Sequence, residues 1–179
     1  MNLWLRFLRV FIQSLFSKKM ALLDESKLAF RVWPWDCDFN FHMTNSRYSS
    51  LMDLGRIYYM SQIGIFRRLI KLRWFPVINA CECAFIRPIA PFRKVNMISR
   101  IIYWDEKYFY MEQRFESGGH LCALCLVRGL FIHQGEKIHS QKVMELTGNV
   151  PPKPDQLKMV QHWQQLIAEK RKAYSERHR

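Results

Sequence analysis

No acidic residue occurs before Asp24, so the first 23 positions, MNLWLRFLRVFIQSLFSKKMALL, carry charge of one sign only. They also lack the run of about 20 apolar residues that a bilayer-spanning helix needs, because Arg6 and Arg9 interrupt them. No small-residue cleavage site follows, which argues against a secretory signal. Cys122-x-x-Cys125 lacks the second Cys or Cys/His pair that would complete a zinc site. Residues three apart on a strand also point to opposite faces, so these two thiols are not expected to converge. The sequence contains no recognised DNA- or RNA-binding motif, no internal repeat and no low-complexity segment. These absences leave no call for a metal, a cofactor or a nucleic-acid partner.

What is there is apolar and basic. Of 179 residues, 49% are hydrophobic and thirteen are Phe, enough to bury one real core and to exclude disorder through the middle of the chain. The net charge of +13 predicts attraction to polyanions: nucleic acid, an anionic membrane, or a phosphorylated small molecule such as coenzyme A. Dispersal of the basic residues disfavours the first. Five cysteines, an odd count, read as reduced thiols in a cytosolic compartment, with Cys81 and Cys83 as small buried residues.

The acid-free start predicts an amphipathic helix over 1–23. Arg6, Arg9 and Gln13 form its polar stripe, and Trp4, Leu5, Leu8, Phe11, Ile12, Leu15 and Phe16 its wide apolar face. Such a helix suits an anionic membrane interface, with Lys18 and Lys19 on headgroups. Docking on the protein's own core or on a partner, and a mitochondrial presequence, are the alternatives. The compartment read from this is the cytoplasm, peripheral on the inner membrane face, or else the mitochondrion.

LAFRVWP reads as a short strand stopped by Pro34. Residues from about Asn45 to Ile63 read as a helix ended by Gly64. Its polar stripe of Ser46, Ser49, Asp53 and Arg56 is narrow, so the helix is expected to lie buried under a curved sheet. From Phe75 the period changes to two: strands end near Pro88, then run through KVNMISRIIYW, YFYMEQRF and HLCALCLVRGLFIH, with turns at Asp105–Lys107 and Ser117–Gly119. Short turns make the neighbours antiparallel. The tail after Pro151-Pro152 reads as a polar, basic helix frayed at its end. The expected organisation is therefore helix 1–23, an α+β domain 24–150 and a helical tail 151–179.

The stretch WPWDCDFNFHMTNSRYSSL puts Asp36, Asp38, Asn40 and His42 in alternation with Cys37, Phe39, Phe41 and Met43, which reads as one polar side of an extended segment. Thr44, Asn45 or Ser46 then caps the helix. Unpaired N–H groups at a helix start can hold a developing oxyanion, and a carboxylate just upstream can act as general base or nucleophile. From these positions alone, Asx-turns and capping are the favoured reading.

DCDFNFHMTNSRY resembles the helix-entry motif of hotdog-fold thioesterases, which act on acyl-CoA or acyl-carrier-protein thioesters. Asp38, Asn40 and His42 are similar to the Asp-x-Asn-x-His of the carrier-protein enzymes, and Asp36-Cys37-Asp38 to the start of the motif in 4-hydroxybenzoyl-CoA thioesterase, where the acid matching Asp38 is catalytic. FIRPIAPFRKV resembles the strand entry after the helix. WDEKYFYMEQRF, GGHLCALCLVRGLF and VPPKPDQLKMVQHW resemble the THEM6-type (thioesterase superfamily member 6) subgroup. The likeness covers about Phe30 to His133. Thr44 replaces the first of two usual asparagines, Pro91-Phe92-Arg93-Lys94 replaces a usual Gly-Asp, and the glutamate of plant enzymes has no match, since Glu82 lies too early. The resemblance implies a hotdog fold, an antiparallel sheet around a long central helix, and a homodimer or dimer of dimers. It implies Asp38 as the acid, with Asn40 and His42 orienting it. The N–H groups of Asn45, Ser46 and Arg47 would hold the oxyanion, and Tyr48, Leu51, Met52 and Tyr58 the acyl group; the basic pair Arg93-Lys94, read from its charge, is a contact for the CoA phosphates. A non-catalytic acyl-thioester or lipid-binding protein is the alternative.

Overall fold

The computed structural model describes residues 3–177, so the ends of the two expected terminal helices, Met1, Asn2, His178 and Arg179, lie outside the described residues. Helices α1 (Leu3–Leu15), α2 (Asn45–Gln62), α3 (Phe66–Leu72), α4 (Ser140–Glu145) and α5 (Lys158–Arg177) accompany six strands. These are β1 (Ser26–Arg31), β2 (Phe75–Phe85), β3 (Lys94–Trp104), β4 (Phe109–Ser117), β5 (His120–His133) and β6 (Glu136–Ile138). The strands form one antiparallel sheet in the order β1-β3-β4-β5-β2, with β6 on β5. The sheet wraps α2, which is the hotdog arrangement.

Period-two alternation decides what each face of the sheet meets. Met97, Ile101, Met111, Phe115 and Val127 are buried in the cluster that contains Leu51, Met52 and Tyr59 of α2. Their neighbours Ile102, Tyr110 and Leu126 bury against Val160 and Trp163 of α5 on the other face. The 20-residue tail helix is thus docked near its start through Val160 and Trp163, with Ile167 half-buried beside them, while its second half is exposed. α2 comes very close to the sheet because Gly55 lacks a side chain: a Cβ there would collide with the Met97 side chain and approach Gln113 and Ser99 to 3.1 Å. Gln113, fully buried, spends its amide on this seam, donating to the Met52 carbonyl at 3.1 Å and to Ser99 Oγ at 3.0 Å.

Two expectations need correction. The N-terminal helix ends at Leu15, short of the expected 23, and of the two docking orientations it takes the one that turns Arg6 of its polar stripe inward and leaves the expected apolar face outward. Arg6, Val10 and Ser14 face inward against α2 and β1, whereas Trp4, Leu5, Leu8, Phe11, Ile12, Leu15 and Phe16 are exposed. The physical reason is a buried partner: the Arg6 guanidinium pairs with the carboxylate of Asp36, the two side chains being 8% and 1% exposed. The cysteines are also not all free. Cys83 and Cys125 are register partners on β2 and β5 and form a disulfide, leaving Cys37, Cys81 and Cys122 as thiols, with Cys81 exposed rather than buried. An odd count cannot reveal a pair separated by 42 positions, because strand register brings them together.

Candidate active site

The polar stretch before α2 is a tight loop, not the extended segment its alternation suggests. Cys37 and Met43 bridge its base. Within it the Asp38 N–H donates to the His42 carbonyl and the Phe41 N–H to the Asp38 carbonyl, both at 3.0 Å. Phe41 turns the chain with φ of 57°. The Asp38 carboxylate accepts the backbone N–H of Asn40 at 2.9 Å and lies 3.5 Å from that of His42. Asn40 and His42 therefore meet the acid through their main chains, and their side chains stand exposed with it. Phe39 and Phe41 at the tip are also exposed.

Asp36 anchors this loop from below. Its carboxylate receives Arg6 from α1 and the Trp33 N–H at 2.9 Å, and lies 3.4 Å from Arg47 Nε of α2. Its carbonyl accepts the Thr44 N–H at 2.9 Å, and the Ile89 carbonyl accepts Met43 at 2.9 Å. Thr44 occupies the N-cap position, yet its hydroxyl lies 3.1 Å from Ser46 Oγ and makes no cap to α2. The first-turn N–H groups at Asn45 and Ser46, both exposed, are thus left without a side-chain cap beside the Asp38 loop. Burial raises the pKa of the Cys37 thiol, and the Asp36 and Asp38 charges raise it further, so this thiol is kept in its unreactive form.

The other expected contacts point inward. Tyr48 packs edge-on against Phe85 and Phe115, with centroids at 4.9 and 4.8 Å, and burial pushes its phenol up to about 12. Leu51 and Met52 belong to the core. A cavity of about 270 Å³ opens further along α2, lined by Ile57, Tyr59 and Met60 of that helix and by Ile63 just beyond its end, rather than by Leu51, Met52 or Tyr58. Ile78, Ile101, Phe109, Met111, Phe131, Val143 and Met144 complete its apolar wall. Its exposed lining residues, Asp53 and Pro76, mark an opening between α2 and β2. Arg56 stands there, paired with Asp53 and donating to Gln113 Oε1 at 2.7 Å. At about 24 cal/mol per Å³, a closed void of this size would cost about 6 kcal/mol.

A second pocket, about 360 Å³, adjoins Ile89 and is lined by Arg87, Arg93, Ser117 and His120. Neither arginine has an acidic partner among the described residues. Asp36, Arg87 and Gln113 lie within stretches that carry the resemblance, but their roles here, and that of Arg6, are set only by the folded chain, which assembles them.

Residues 32–164 match the family profile of the thioesterase-like superfamily. The chain belongs to that superfamily. It is 33% identical over 150 residues to Protein THEM6 of Danio rerio, covering 82% of this chain and 72% of the relative. To the probable thioesterase YBR096W of Saccharomyces cerevisiae it is 34% identical over 120 residues, 64% of this chain. That match spans about half, 51%, of the yeast protein. Among solved structures, BH1999 gentisyl-coenzyme A thioesterase superposes with a TM-score of 0.60 at 22% identity, covering 69% of this chain and all of that one. 4-Hydroxybenzoyl CoA thioesterase from Pseudomonas sp. strain CBS-3 gives 0.61 at 16% identity over 68% of this chain and 98% of that one. As a superfamily member the chain has the hotdog fold of these enzymes, and α1 lies outside the family match.

Proposed function

We propose that this protein hydrolyses acyl thioesters. Asp38 takes a proton from water as the water oxygen bonds to the acyl carbon; the tetrahedral oxyanion then collapses, the C–S bond breaks, and the sulfur takes that proton and leaves as thiol. In the covalent variant the Asp38 carboxylate displaces the thiolate to give a mixed anhydride, which water hydrolyses to free acid, one water proton ending on the thiol. The N–H groups of Asn45 and Ser46 stabilise the oxyanion. The observation that carries this reading is the juxtaposition of an exposed carboxylate, Asp38, with an uncapped N-terminus of an 18-residue helix in a thioesterase-like chain. Arg87 and Arg93 supply positive charge, and Ser117 and His120 hydrogen-bonding groups, suited to the phosphate of a CoA or carrier-protein arm. The test is thiol release from a panel of acyl-CoAs, short, long and aromatic. Release from at least one class is expected, and silence across CoA and carrier-protein thioesters alike would leave the non-catalytic acyl-binding reading in its place.

We read the working unit as a homodimer. β2 is an 11-residue strand at the sheet edge, with Phe75, Val77 and Phe85 exposed, the kind of edge that pairs unless blocked. Light scattering is expected to give twice the chain mass, and a monomer at micromolar concentration would remove this interface.

Among the described residues no helix is long and apolar enough to cross a membrane. The outward apolar face of α1 nevertheless suits a membrane interface. Wild type is expected to sediment with phosphatidylserine-rich vesicles, and Trp4→Glu with Leu8→Glu to stay in solution. Wild type remaining in the supernatant would discard the membrane reading.

A further inference from the structure

The cavity beside the second half of α2 has no place in the chemistry at Asp38, and its wall is almost entirely apolar and built from core side chains. We propose that it takes the tail of a linear, long-chain acyl group, an inference that rests on the thioesterase reading for the head of the same substrate.

Volume, lining and position each support this occupant. At about 30 Å³ per methylene, the same share as a liquid water molecule, the cavity's 270 Å³ holds about nine carbons. Its wall is built of Ile and Met side chains from both sides, among them Ile57, Met60, Ile101 and Met111, which adapt to a narrow flexible chain. The opening lies eight residues beyond the start of α2, about 12 Å along the helix axis. An extended chain advancing about 1.2 Å per bond covers that distance in about ten carbons. With the head at Asn45, a chain of about 16–18 carbons reaches well into the cavity, and one of about 19 would fill it. An aromatic acyl group ends before reaching the opening. Between the two ends, Gln113 holds the Met52 carbonyl and receives Arg56, so one buried side chain fixes both the wall near the head and the rim near the tail. The Asp53–Arg56 pair neutralises its own charge at that rim, which leaves the rim open to an uncharged alkyl chain.

Two measurements separate this proposal from the reading it rests on. Displacement of the fluorescent 18-carbon fatty acid cis-parinaric acid reports tail binding without turnover, and thiol release reports turnover. Wild type is expected to bind the fatty acid and to prefer palmitoyl- over hexanoyl-CoA. Met60→Trp, which fills about two methylenes of the cavity, is expected to weaken parinaric acid binding and lower the palmitoyl-to-hexanoyl ratio of kcat/KM at least ten-fold, at about four-fold per methylene. Ile101→Phe approaches from the sheet side and serves if Met60→Trp does not fold. Parinaric acid binding that either variant abolishes, without thiol release from any ester, would retain the cavity and overturn hydrolysis. Thiol release with an aromatic or short-chain optimum, or one that both variants leave unaltered, would retain hydrolysis and overturn the cavity.

Discussion

Asp38→Asn is expected to lower thiol release by roughly 10²–10⁴-fold, the range for loss of a general base. The substitution keeps the size of the side chain and keeps an oxygen to accept the Asn40 N–H, which the carboxylate holds at 2.9 Å. The loop is therefore expected to persist, and unfolding midpoints of variant and wild type to agree closely. KM should change little, because the lost interaction belongs to the transition state rather than to substrate binding. Asn40→Ala and His42→Ala leave the main-chain donors to Asp38 in place and are expected to cost far less than the change at Asp38. A fall of less than ten-fold in Asp38→Asn, with the protein folded, would reduce Asp38 to an Asx-turn residue and return the search for a base to the rest of the loop and to Asp53.

Arg6→Ala is expected to destabilise the protein by about 3 kcal/mol, the lower end of the range for stripping one partner from a buried ion pair. The lower end applies because Arg47 remains 3.4 Å from Asp36. Asp36 itself, 1% exposed, has no route to water. Denaturant unfolding of Arg6→Ala, Asp36→Leu and the double variant tests this as a cycle. The double variant should lose clearly less than the two single losses added together, since with both charges gone nothing buried is left unpaired. Additive losses, or a single-variant effect under 1 kcal/mol, would mean that α1 is not held by this pair. The result also bears on function, because Asp36 fixes the loop that carries Asp38: α1, outside the family match, would contribute to the order of the site.

Much of the fold was legible in the primary structure. Period two in KVNMISRIIYW and YFYMEQRF, broken by Asp105–Lys107, marks β3, β4 and their turn, and the narrow polar stripe of residues 45–63 marks α2 as a buried helix. α3, α4 and β6 are too short to show a period. The site was legible only as a location. A loop followed by a helix start can be read from DCDFNFHMTNSRY, but alternation there mimics a strand, and only Phe41 in the left-handed region folds it into a turn. The side chains of Asn40 and His42 drew attention where their backbone N–H groups meet the acid.

The sequence alone determined the local choices: which segments are helix or strand, where the sheet's two faces alternate, and where a carboxylate precedes a helix. These follow from periodicity and turn chemistry within about twenty residues. Only the tertiary structure decided what depends on distant partners. Register joined Cys83 to Cys125, Gly55 let α2 descend onto Gln113, and the curve of the sheet around α2 left a cavity no single segment encodes. α1 shows the reason most directly. Its hydropathy favours burying the apolar face, but Asp36, sealed from water thirty residues away, needs a cation in contact, and so Arg6 turns inward to join Arg47 there and the hydrophobic face turns out.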